Sequence, residues 1–159
     1  MTSSSRNYQL RRIPGGRFAV LTTVIICFLT SSTFMTARGS KPKRPQASEF
    51  GLGPRHSMDR RYVATLQPQQ PLRRRHLQTI QVSITDAEGL AVDGATIAVD
   101  GGMPQHGHGL PTKPRVTKNL GGGLYEIEGV RFSMGGWWEF KLFITGTPGV
   151  DNVTFNLNL

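Results

Sequence analysis

The chain has 159 residues, a formal net charge of +9 and one cysteine, about one domain's worth of sequence. With Cys27 alone, an intrachain disulfide and a cysteine-based zinc site are both excluded. Ten Lys and Arg face two acids between Arg38 and Arg75, but five face eight acids from His76 onward. A nucleic-acid-binding domain carries its positive charge on the fold, so nucleic acid is not an expected partner.

Residues 1–17 form a basic N-terminal region with Arg6, Arg11, Arg12 and Arg17. Residues 18–37 then run without a charge, beginning FAVLTTVIICF. A positive region followed by an apolar run is the pattern of an export signal, and about 20 uncharged residues also suffice to span a bilayer. The segment therefore reads as a signal or a retained transmembrane anchor. It makes the membrane a partner and puts the rest of the chain on the periplasmic or extracellular side of the cytoplasmic membrane. Secretion to the periplasm is the alternative. Residues 38–60 are polar, basic and dotted with proline and glycine, and read as a disordered linker.

From residue 61 to 159 the pattern changes to alternation with period two, the signature of half-buried strands. It runs through Ile80-Val82-Ile84, Ala95-Ile97-Val99, Tyr125-Ile127, Trp138-Phe140-Leu142-Ile144 and Val153-Phe155-Leu157-Leu159. A first strand near Tyr62–Leu66 and a short one near Arg115–Asn119 bring the number to seven. The segments between them, such as LGGG and GTPGVDN, are rich in turn residues. The expected fold is all-β, a seven-stranded immunoglobulin-like sandwich, without the cysteine pair of true immunoglobulin domains. The expected core comprises Val82, Ile84, Val99, Ile127, Trp138, Phe140, Leu142 and Phe155. Glu126 and Glu128 fall on the solvent face.

Gly101–Pro114 reads GGMPQHGHGLPTKP and holds one thioether, Met103, and two imidazoles, His106 and His108, within six residues. Glycine and proline make it an irregular loop. Met134 follows in a second glycine turn, FSMGGWW. If consecutive strands alternate in direction, the loops Gln67–His76, Met103–His108 and the Met134 turn share one end of the sandwich. A tether would then enter at the other. Thioethers select for Cu(I), and imidazole serves copper and zinc alike. Zinc wants a cysteine or carboxylate to complete its shell, and Gly101–Pro114 holds neither. Met103, His106, His108 and Met134 are thus the candidate metal ligands, with copper as the ion and His76 as a substitute ligand. The plain alternative is a structural glycine loop whose histidines bond the backbone and whose Met103 plugs the end of the sandwich. A metal-free docking module is the other binding reading, with Trp137 and Phe143 on one outward face, unless Trp137 covers a neighbouring strand or packs under the Met134 turn. No nucleophile with a base and an oxyanion donor can be assembled, so an enzyme is not expected.

The runs DGGMPQHGHGLPTKPRVT, GGGLYEIEGVRFSMGGWWEFKL and VTFNLNL resemble the YtkA-like domain family. The resemblance covers about Tyr62–Leu159 and rests mostly on the MPxHGHG loop and the later M-x-G-W turn. It implies an exported or membrane-anchored bacterial domain with an immunoglobulin-like sandwich. The family is similar in pattern to the FixH proteins associated with copper-dependent oxidase assembly, which implies an accessory role in copper handling and an envelope protein as partner.

Overall fold

The computed structural model describes residues 41–159; the basic region and the apolar segment read at 1–17 and 18–37 lie outside the described residues. Among the described residues no helix is long and apolar enough to cross a membrane. Among the described residues, apart from a 3-10 turn at Ala47–Glu49, the secondary structure is all strand. The strands are β1 (Arg55–His56), β2 (Tyr62–Pro68), β3 (Gln78–Asp86), β4 (Thr96–Met103), β5 (His108–Gly109), β6 (Arg115–Gly121), β7 (Leu124–Val130), β8 (Trp137–Gly146) and β9 (Gly149–Asn158). They form two antiparallel sheets, ordered β1-β2-β3-β7-β6 and β5-β4-β8-β9. The expected seven strands are all present. Among the described residues the count is corrected to nine, because β1 and β5, two residues each, are too short to show a period. Ranked in chain order, the seven long strands lie 1-2-5-4 and 3-6-7, the order of a constant-type immunoglobulin sandwich.

The apolar positions of each alternating set face the other sheet. Tyr62, Ile80, Val82, Ile84 and Ile127 from one side meet Trp138, Phe140, Leu142 and Phe155 from the other, all buried. Val99, expected in the core, is only partly buried against it. Turn chemistry closes the hairpins. Gly122 and Gly123 connect β6 to β7 with φ of 62° and 72°, both in the left-handed region that a two-residue type I′ turn demands. Glu126, expected on the solvent face, is buried, and its Oε1 accepts a bond from Lys118 Nζ on the neighbouring strand at 2.7 Å.

The reading of residues 38–60 as a disordered linker is corrected for most of its length. The chain from Arg44 to Arg61 lies back along β9. Arg44 Nη2 donates to Asn158 Oδ1 (3.2 Å), Gly51 N to the Asn156 carbonyl (3.0 Å) and Met58 N to the Asn152 carbonyl (2.9 Å). Leu52 packs on the core and accepts from Leu66 N. At the far end the buried Asp151 carboxylate accepts from the backbone N–H groups of Asp59, Arg61 and Asn152. The arm thus covers the open edge of β9, where unpaired backbone groups would otherwise face solvent. Its direction has a second effect. The chain enters the fold at the end carrying Asn158, not at the opposite end as strand parity alone implied. The arm adds one more traverse before β2.

Candidate metal centre

The three loops that alternation predicted to share an end do meet there. In the β2–β3 loop, Arg75 N donates to the Phe132 carbonyl of the β7–β8 loop at 2.7 Å. Gly136 and Leu159 exchange backbone hydrogen bonds of 2.8 and 3.1 Å, which fixes the β7–β8 loop beside the C-terminus. The β4–β5 hairpin completes the group. Its four-residue loop closes when the Met103 carbonyl accepts from both His106 N and Gly107 N at 3.0 Å. Gly107 sits at φ 69°, where a side chain is strained.

Met103 pairs directly with His108 across the hairpin, so the two side chains stand on the same face of the sheet. For Met103 that is the inner face, and it is buried to 2 % exposure. A methyl group added at Gly136 would lie 3.1 Å from Met103 Cε, so the thioether reaches toward the β7–β8 loop. His108, on an edge strand, stays exposed, and its ring meets the edge of Trp138 at 6.1 Å between centroids. Trp138 in turn packs against Phe132 at 5.3 Å and donates its indole N–H to the Met134 carbonyl at 3.0 Å. One buried tryptophan therefore joins the histidine hairpin to the methionine turn.

The rings of His106 and His108 lie 5.8 Å apart and are tilted by 31°. With a metal–nitrogen bond of about 2 Å and a ring radius of about 1.1 Å, two imidazoles on one ion have centroids roughly 5–6 Å apart. The observed spacing fits that range. A groove of about 260 Å³ beside the hairpin is lined by Met103, Gly107 and His108, with Asp100, Glu139 and Lys141 at its other side. The Glu139 carboxylate there is engaged by Lys141 Nζ at 2.8 Å. Among the described residues, no three His, Cys, Asp or Glu groups converge.

Met134 lies on the adjoining loop, 39 % exposed, connected to the hairpin through Trp138. His76 is elsewhere. Its Nδ1 bonds the Arg74 carbonyl at 2.8 Å, and its ring lines a cavity of about 510 Å³ with Gln69, Arg73 and Leu77.

Of the two readings of Trp137, the structure has the covered one. Phe143 is exposed, but Trp137 is 3 % exposed and donates its indole N–H to Asn156 Oδ1 at 2.9 Å. Asn156 is also the residue that the N-terminal arm bridges through Phe50. Sequence alternation put Trp137 on the outer face but gave no sign of that arm. The linking role of Trp138 was also missed; the only available signal was an indole N–H on a core-facing position, which needs a partner when buried.

No curated protein and no solved structure matches the chain. The YtkA-like family model matches residues 57–143, which include all four candidate ligands and both glycine turns. The chain belongs to the YtkA-like family.

Proposed function

We propose that the protein is an envelope-exposed, immunoglobulin-like module that binds Cu(I) and serves as a non-catalytic accessory in copper handling or oxidase assembly. Residues 18–37 export it and hold it at the cytoplasmic membrane. The observation that carries the copper reading is the His106–His108 pair, 5.8 Å between ring centroids, in a hairpin where Met103 is the strand partner of His108. The imidazoles supply neutral nitrogen donors, Met103 a soft sulfur from the buried side, and Met134 a second sulfur from the adjoining loop. Bound copper would be held without a redox partner from the chain, as suits transfer to an envelope protein.

The test is anaerobic titration of Arg38–Leu159 against a Cu(I)-binding competitor dye. The expected result is about one Cu(I) per chain, lost in His106→Ala/His108→Ala and weakened in Met103→Leu and in Met134→Leu. Leu for Met nearly conserves volume and costs under about 1.5 kcal/mol in a core, so the Met103 variant separates ligation from packing. If the wild-type domain leaves the dye's copper untouched, the loop is structural and the protein is a metal-free interaction module.

A further inference from the structure

Charge is segregated between the two ends of the sandwich. At the end carrying the histidine hairpin, the β2–β3 loop presents Arg73, Arg74 and Arg75, the β7–β8 loop Arg131, and the start of the arm Arg44. All five are exposed, and among the described residues no carboxylate side chain forms an ion pair with any of them. The acids at this end are Glu49, whose carboxylate accepts from Gln46 N, Glu128 near the end of β7, and Asp100 and Glu139 beside the hairpin, the last of them engaged by Lys141 Nζ. At the other end lie Asp59, Asp86, Glu88, Asp93 and Asp151, against Arg60 and Arg61.

The arginine run is also anchored. Arg75 takes φ 65°, uncommon for a residue with a side chain. Its N–H bonds the Phe132 carbonyl, and Arg75 Nε reaches the Ser133 carbonyl at 3.5 Å. Arg74 packs beside Gly135, and both arginines line one cavity of about 420 Å³ with Met134. Arg74 and Arg73 border Leu159, next to the Asn158 that Arg44 binds. Arg44, Arg73, Arg74 and Arg75 therefore cluster around the point where the chain enters the fold.

We propose that this arginine-rich end of the folded domain docks on an anionic phospholipid surface, with guanidinium groups meeting headgroup phosphates. A lipid surface fits better than a discrete acidic ligand because the charges are spread around a rim and joined to the chain's entry point. A leader held in a membrane connects to the fold here, through the few residues before Lys41. In that one respect the proposal rests on the anchored reading above. It also places the histidine hairpin at the membrane-facing end.

The experiment uses Arg38–Leu159, which contains the whole folded unit and its core. Co-sedimentation is measured with vesicles of one part phosphatidylglycerol to two parts phosphatidylcholine, and with phosphatidylcholine alone. Each basic residue near an anionic surface multiplies partitioning by about fivefold, so Arg73→Gln/Arg74→Gln/Arg75→Gln should lose on the order of a hundredfold. Arg60→Gln/Arg61→Gln, at the other end, should stay within about threefold of wild type. Wild-type binding should also fall steeply between about 50 and 500 mM salt, a readout that needs no variant. Equal binding to both vesicle types, or a triple variant that binds like wild type, overturns the proposal. So does binding to soluble polyglutamate with none to vesicles, which assigns the surface to an acidic protein. Copper titration of the same samples reports separately on the histidine site, so either reading can fail alone.

Discussion

Replacing Asp151 tests how the N-terminal arm is held. The side chain is 5 % exposed and accepts from Asn152 N at 2.7 Å, Asp59 N at 3.1 Å and Arg61 N at 3.3 Å, with the Ser57 hydroxyl as a further donor. Hydrogen bonds to a charged acceptor contribute about 1.5–3 kcal/mol each when short. Two of these are long and the site lies near solvent, so Asp151→Ala should cost about 2–4 kcal/mol in total. Asp151→Asn keeps one acceptor oxygen and the volume, and should cost about half as much. Burial acts to raise the Asp151 carboxyl, but the bonds from Ser57, Asn152, Asp59 and Arg61 outweigh it and hold it below its ordinary value. A carboxyl with a depressed folded value stabilises the fold above its unfolded value, about 3.9, and loses that contribution as pH falls through the folded value. The gap between wild type and Asp151→Asn in urea unfolding should therefore be flat from about pH 8 to 5 and close progressively below about pH 4. Amide exchange of Asp59 and Arg61 should quicken in the variant. A wild-type-like Asp151→Asn at neutral pH, or a gap unchanged at about pH 2, would refute this account of the arm.

Phe155→Ala, at a fully buried position paired with Phe140 across β8 and β9, should cost about 3–5 kcal/mol in denaturant unfolding, while Thr154→Ala on the outer face should cost under about 0.5 kcal/mol. Gly123→Ala drives a methyl group into the Ile84 carbonyl oxygen, so it should destabilise by well over about 2 kcal/mol. Gly122→Ala has the same backbone strain but open space, and should cost about 1 kcal/mol, as thermal melts will show. Tyr125→Phe removes the hydroxyl that donates to the Val92 carbonyl (2.7 Å) and accepts from Ala95 N (2.9 Å). It leaves both backbone groups short of a partner, with an expected loss of about 1–3 kcal/mol in urea unfolding.

Much of the fold was legible because a two-sheet sandwich imposes a period of two on every strand with one buried face. Ile80-Val82-Ile84 and Trp138-Phe140-Leu142-Ile144 declare their faces by that period alone, and Gly122-Gly123 declares its turn because few residue pairs accept two positive φ angles. The family, too, was legible in the MPxHGHG loop and the later methionine turn. Strand parity even placed His106, His108 and Met134 at one end, since direction reverses at each hairpin. What the chain could not disclose locally was set by contacts between segments far apart in sequence. Residues 44–61 carry only Phe50 and Leu52 as apolar anchors and look unstructured. They are ordered because the unpaired edge of β9 and the Asp151 carboxylate satisfy their backbone groups. That extra traverse moved the chain's entry to the histidine end, and the arm reaches the same Asn156 that bonds the indole of Trp137, a residue alternation alone had assigned to solvent. Periodicity reports which face of a strand is apolar; only the folded chain decides what comes to cover the other.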